Sequence, residues 1–166
     1  MILVTGASGF VGRHLISRLI KKRYKVCCLL RSPSDKRFIN YLKKNNIKII
    51  FGSLSDYRSL DKSLKTIKIS DILHLAGLLK SNNYREYFDA NVKSTSNLIK
   101  ICKEKRINNF VFISSDLAAN KNLTLYGKSK YEAELIIKKS GMNYVILRPT
   151  VIYGKGDNKF IMELVK

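Results

Sequence analysis

Apolar residues along this chain of 166 residues fall into short unbroken runs, separated by longer stretches where they recur every three or four positions. The runs lie at 2–5, 25–30, 47–51, 71–75, 110–114 and 144–147. They do not alternate with polar residues, which is the pattern of strands buried on both faces. The helical spacing covers about 10–22, 35–45, 56–66, 84–105 and 127–140, and the long fourth segment carries Tyr84, Phe88, Val92, Leu98, Ile99 and Cys102. Strand and helix alternate throughout, so the pattern predicts an α/β fold: a doubly wound parallel sheet with helices on both faces. The length suits one domain of ordinary size. No internal repeat, low-complexity tract or linker appears before residue 148.

Three glycines give the first strand a purpose. In MILVTGASGFVG the strand runs directly into Gly6, Gly9 and Gly12, and a helix follows. Gly6 permits a tight turn, Gly9 lets a ligand approach the backbone, and Gly12 allows helix and strand to pack closely. Amides at the helix start can then meet a pyrophosphate. The residues expected to line that site are Gly6, Ser8, Gly9, Phe10, Val11 and Gly12. A dinucleotide fold reads the adenosine ribose at the end of its second strand, with an acid for a hydroxyl and a base for a 2′-phosphate. Here the second run ends in CLLRS, and the planar fork of Arg31 suits phosphate, favouring NADP over NAD.

Composition changes this picture little. Lys and Arg number 32 against 12 Asp and Glu, a formal charge of +20. The basic runs KKRYK, KEKR and KK close predicted helices, where cations complement the helix dipole, and the rest are scattered. Nucleic acid is therefore not expected as a partner. The three cysteines, Cys27, Cys28 and Cys102, are too irregularly placed for a disulfide framework and read as reduced, partly buried thiols. With no signal-like leader and no long uncharged apolar stretch, the expectation is a cytoplasmic chain without a membrane segment. No metal site is expected.

Downstream motifs resemble those of the short-chain dehydrogenase/reductase superfamily, in its extended NAD-dependent epimerase/dehydratase branch. TGASGFVG is similar to the branch's nucleotide loop, DILHLAG to its fourth strand, and NVKSTSNLIKICKEKRINNFVFISS to its fourth helix and fifth strand. YGKSKYEAE resembles the catalytic helix, and LRPTVIYGKGD the turn after the sixth strand. The resemblance covers nearly the whole chain and implies a Rossmann fold with a bound NAD or NADP. It implies catalytic roles for Ser115, Tyr126 and Lys130, with Ser115 orienting a substrate oxygen and Tyr126 acting as base. Lys130 would also hold the nicotinamide ribose. Four residues apart on a helix, Tyr126 and Lys130 face the same way, so the ammonium is expected to lower the phenol's pKa. The resemblance further implies cofactor contacts from Ser53, Leu54, Leu75, Ala76, Gly77 and Pro149, a supporting role for Asn91, and a structural one for His74.

Three departures shape the expected function. Ser53 stands where the branch usually has an adenine-contacting acid. Only DLAANKNLTL separates Ser115 from Tyr126, shorter than in the sugar epimerases, and Leu117 stands where dehydratases place a Glu after the acid matched by Asp116. The sequence ends at FIMELVK, so residues 1–156 are expected to form the NAD(P)-binding domain and 157–166 the start of a truncated substrate region. The leading expectation is an NAD(P)-dependent oxidoreductase or epimerase acting by reversible hydride transfer at a secondary alcohol, with a nucleotide sugar as substrate. The alternative is a non-catalytic cofactor-binding module: a redox sensor, an assembly subunit or an RNA-associated member. A homodimer is open on either reading.

Overall fold

The computed structural model describes residues 1–32, 34–120 and 124–157. Six parallel strands form one sheet: β1 (Ile2–Thr5), β2 (Val26–Leu30), β3 (Lys48–Phe51), β4 (Asp71–His74), β5 (Asn109–Ile113) and β6 (Asn143–Leu147). Their order across the sheet is β3-β2-β1-β4-β5-β6, so the winding reverses between β1 and β4. A crevice for a ligand opens at the carboxyl edge of such a sheet, where the order reverses. Register is set by direct pairings such as Thr5 with Leu29 on one side and with His74 on the other.

The unbroken apolar runs are explained by the two cores. Leu3, Cys27, Leu29, Ile72, Phe110 and Phe112 pack on one face of the sheet. Val4, Cys28 and Leu30 pack on the other with Ile16, Leu19, Phe38 and Leu42. The helices supplying the second core are α1 (Phe10–Lys21) and α2 (Lys36–Lys44); the first is closed by α3 (Tyr57–Leu64), α5 (Ser94–Glu104) and α6 (Leu125–Lys138). All three cysteines are buried free thiols, and burial pushes their pKa values up to between about 11 and 12. Among the described residues no helix is long and apolar enough to cross a membrane.

Two elements depart from the sequence expectation. The predicted helix at 84–105 is a composite: α4 (Tyr84–Tyr87), a π-helical segment (Phe88–Lys93) and then α5. Within it the Ser94 and Thr95 hydroxyls donate to the carbonyls of Asp89 and Asn91, at 3.0 and 2.6 Å. The wider turn buries the polar Asn91. π-Turns of this kind are common at functional sites. The second departure is β6, an edge strand on which Tyr144, Val145 and Leu147 are 42 to 52 % exposed. It is not covered on both faces as β1 and β2 are. The expected boundary at 156/157 falls where the description ends, since 158–166 lie outside the described residues.

Candidate active site

The chain turns sharply after β1. Gly6 has φ +72°, and a Cβ there would stand 2.6 Å from the Ala76 nitrogen, so the loop after β1 lies flush against the loop after β4. At Gly12 a Cβ would meet the Gly6 carbonyl oxygen at 2.2 Å. Gly9 caps α1 without any side-chain bond, and the first turn, with Phe10 and Val11, carries no acid. The positive end of the α1 dipole is therefore open to an anion. Ser8 is exposed at the rim, and its carbonyl accepts from Arg13 Nε at 2.9 Å.

Arg31 follows the end of β2, and Ser53 and Leu54 lie just beyond β3. Arg31 is exposed and has no ion pair among the described residues; its carbonyl accepts from the Ser34 hydroxyl. A second guanidinium, Arg13, lies 2.7 Å from the Asp35 carboxylate and 4.5 Å from the Phe38 ring centroid. The hydrogen bond from Arg13 holds the Asp35 carboxyl below the ordinary range, aided by the Arg37 amide. Ser53 exchanges a hydroxyl contact with Ser55 at 3.0 Å, and the Leu54 carbonyl accepts from Asn97 at 2.9 Å.

Beyond β4, Leu75, Ala76 and Gly77 lead to Leu78, whose amide and carbonyl both bond the buried Asn91 side chain, at 2.7 and 3.1 Å. Asn91 also donates to Ser129 Oγ at 2.9 Å, which in turn donates to the Tyr126 carbonyl at 2.7 Å. A Cβ on Gly77 would stand 3.0 Å from Asn91 Oδ1 and 3.8 Å from Lys130 Nζ. Lys130 and Asn91 thus flank the same backbone.

α6 begins with Thr124 as its cap, accepting from Gly127 at 3.0 Å, which places Tyr126 in the first turn and Lys130 one turn on. The Lys130 ammonium is buried, donates to the Ile113 carbonyl at 2.6 Å and lies 4.1 Å from the Phe112 ring centroid. Burial pulls its pKa down to about 7, against the opposing pull of Glu134. The phenol of Tyr126 is shifted the other way from expectation. Burial first, then Tyr87 and Asp116, push it above its ordinary value. Lys130, whose ammonium donates to Ile113, is not among the groups that shift it.

Ser115 stands at the end of β5 as predicted, but its hydroxyl is committed locally. It donates to Asp116 Oδ1 at 3.0 Å and accepts from the Leu117 amide at 3.2 Å, capping a 3₁₀ turn (Asp116–Ala119). That turn packs on the start of α6, where a Cβ on Gly127 would be 2.5 Å from the Leu117 carbonyl oxygen. Pro149, after β6, accepts from the Asp116 amide at 3.1 Å. The carboxyl edge of the sheet therefore carries every predicted site residue. Two concavities of about 290 and 520 Å³ lie at the opposite edge, rimmed by Arg23, Lys25 and Lys48 and by Lys103 and Arg106, and contain none of them.

Sequence reading overlooked Glu134. Fully buried, it accepts from Arg148 Nε and Nη2 at 2.9 and 2.6 Å and from the Ser114 hydroxyl at 2.6 Å. Burial raises its pKa, but the bonds from Arg148 and Ser114 outweigh that and leave it lowered. The spacing Tyr126, Lys130, Glu134 along one helical face was the available signal.

Strand order, glycine turn and an uncapped first helix define a dinucleotide-binding α/β fold. The family model for the NAD dependent epimerase/dehydratase family matches residues 2–166, and the chain belongs to that family. It is 30% identical over 181 residues to a putative UDP-glucose 4-epimerase of Methanocaldococcus jannaschii, covering 93% of this chain and 57% of that protein. To a ceramide reductase of Caulobacter vibrioides it is 27% identical over 159 residues, covering 96% and 48%. Among solved structures, MoeE5 in complex with UDP-glucuronic acid and NAD superposes with a TM-score of 0.79 at 26% identity, over 99% of this chain and 60% of that one. The chain spans about half the length of the curated relatives it matches.

Proposed function

We propose that this chain forms the cofactor-binding and catalytic half of a cytoplasmic NAD(P)-dependent oxidoreductase or epimerase that acts on a secondary alcohol of a nucleotide sugar. The observation that carries it is the buried Lys130 ammonium, 3.8 Å from a Gly77 Cβ position and one helical turn from Tyr126. An ammonium held under the turn after β4 can bind ribose hydroxyls. The loop suits a dinucleotide: side chains at Gly6 and Gly12 would collide with the backbone of Ala76, Ala7 and Gly6 and break the tight turn, and the start of α1 beside Gly9 carries no side-chain cap. Residues 1–156 supply this unit.

When bound, the nicotinamide supplies the hydride acceptor. The residues Gly9, Phe10 and Val11 would hold the pyrophosphate, Arg31 a 2′-phosphate, and Ser53, Leu54, Leu75, Ala76 and Pro149 the rest of the nucleotide. Tyr126 takes the proton from the substrate hydroxyl. For that its phenol must be ionised, and Lys130, one helical turn on, would stabilise phenolate only once its ammonium turns from the Ile113 carbonyl. Ser115 orients the substrate oxygen once its hydroxyl turns from Asp116.

A binding-only role is favoured by a specific feature: the Ser115 hydroxyl is satisfied by its own turn, and the Tyr126 phenol is shifted up. One experiment separates the two readings. Titration with NADH and NADPH by nicotinamide fluorescence should show binding, tighter for NADPH by about tenfold, a gap that Arg31→Ala removes. Tyr126→Phe should keep that binding and abolish turnover on a panel of nucleotide sugars. Binding of neither nucleotide overturns both readings; binding with every sugar inert, when turnover is tested on the full-length protein, leaves the binding role.

A further inference from the structure

Four hydrogen bonds run in line from the loop after β4 to the π-helical segment. The Ala76 amide donates to Thr5 Oγ1 at 3.4 Å, and Thr5 Oγ1 lies 2.6 Å from His74 Nδ1. His74 Nε2 lies 3.1 Å from Thr95 Oγ1, which is 2.6 Å from the Asn91 carbonyl. The direction of every proton follows from counting. A carbonyl only accepts, so the single Thr95 proton goes to Asn91, and His74 Nε2 must donate to Thr95. A neutral ring then leaves Nδ1 as acceptor, so the Thr5 proton points at His74 and its lone pairs face the Ala76 amide. For a neutral ring no other assignment satisfies all four contacts.

The ring has no freedom to do otherwise. His74 is fully buried against the rings of Phe110 and Phe112 on β5, with ring centroids 5.8 and 5.5 Å away. Burial pulls its pKa down to about 3, and the nearby Lys130 charge adds to this, so the neutral form persists across the physiological range. Each end of the line touches the site. Ala76 is flush with Gly6, and Asn91 holds Leu78 and, through Ser129, the Tyr126 turn.

We propose that His74 is a positioning residue: as the Nε2-protonated tautomer it ties the turn beside Gly6 to the Asn91 segment, so that the nucleotide cradle and the Tyr126–Lys130 turn are set together. A strand-end histidine that merely filled the core would leave the two independent. The functional consequence rests on the cofactor reading above, whereas the relay is a property of the folded chain and is tested without ligand.

Long-range proton–nitrogen NMR correlation should show His74 protonated at Nε2 alone; protonation at Nδ1 overturns the proposal. Hydrogen exchange then reads the coupling, since members of one hydrogen-bonded network act non-additively. Thr95→Val should speed exchange of the Ala76 amide about twofold or more relative to amides of α2. In a His74→Phe background, or His74→Asn if that variant does not fold, Thr95→Val should leave Ala76 unchanged. An equal effect in both backgrounds, or none in the parent, removes the relay. With the relay intact, a chain that binds neither NADH nor NADPH refutes the cofactor reading while supporting the link between Ala76 and Asn91.

Discussion

Lys130 carries the sharpest consequence at the scale of single residues. Its ammonium is buried against the Phe112 ring and the Ile113 carbonyl, with its pKa drawn down to about 7 from 10.5. Between those values the unfolded state holds a proton that the folded state has released, so this group makes stability rise with pH. Below pH 7 both states are charged and the contribution is flat. The buried cysteines act in the opposite sense once unfolded thiols ionise near pH 9.0, so the clean window is pH 7 to about 8.5. Urea unfolding should show stability rising by about 1 to 2 kcal/mol across it, and Lys130→Met should flatten that rise. An unchanged slope in the variant would mean that Lys130 is solvated. The same ammonium shows how far single residues are legible. The Tyr126–Lys130 pair is visible as a four-residue spacing, but the direction of the phenol's shift is not. That is set first by burial of the ring, then by Tyr87 and Asp116, while the Lys130 ammonium is held by the Ile113 carbonyl seventeen residues away.

At the scale of elements, α6 is bolted to the ends of β5 and β6 through one carboxylate. Glu134 is fully buried and accepts from Arg148 twice and from Ser114 once. Removing Arg148 takes away the main compensation of a buried carboxylate, leaving it Lys138 at 3.5 Å and the Ser114 hydroxyl, and Arg148 is itself 36% exposed. Arg148→Met should therefore lower stability by about 2 to 4 kcal/mol, and adding Glu134→Gln should restore part of it. Equal losses in the single and double variants would show that the pair contributes no net coupling. Element types follow from apolar spacing wherever a segment packs on one side, as α1 and α2 do. The 84–105 segment illustrates the limit. Its period is helical throughout, yet the π-turn at Phe88–Lys93 answers to the Ser94 and Thr95 hydroxyls and to Asn91's bonds with Leu78, none of which a periodicity encodes.

Over the whole molecule the sheet is lopsided. β2 is buried at all five positions, whereas β6 presents Tyr144, Val145 and Leu147, and Val151, Ile152 and Tyr153 beyond it are also exposed. Among the described residues β6 has no further strand beside it, and an apolar edge of this kind templates association. Val145→Lys, at a position 52% exposed, should raise the concentration at which the chain stays monomeric in light scattering and leave the melting temperature within about a degree. A large fall in melting temperature would mean that this side chain is packed in the fold.

The order of strands and helices, the glycine turn after β1 and the Tyr126–Lys130 spacing are local in origin. They arise from backbone sterics, apolar period and helical pitch, so the sequence by itself determined them. Only the tertiary structure decided which distant groups meet. It brought Gly6 against Ala76, Lys130 under Gly77, Ser115 into its own cap and Glu134 onto Arg148. Those contacts depend on strand order and on competition for single protons and lone pairs, quantities that exist only once separate elements share one space.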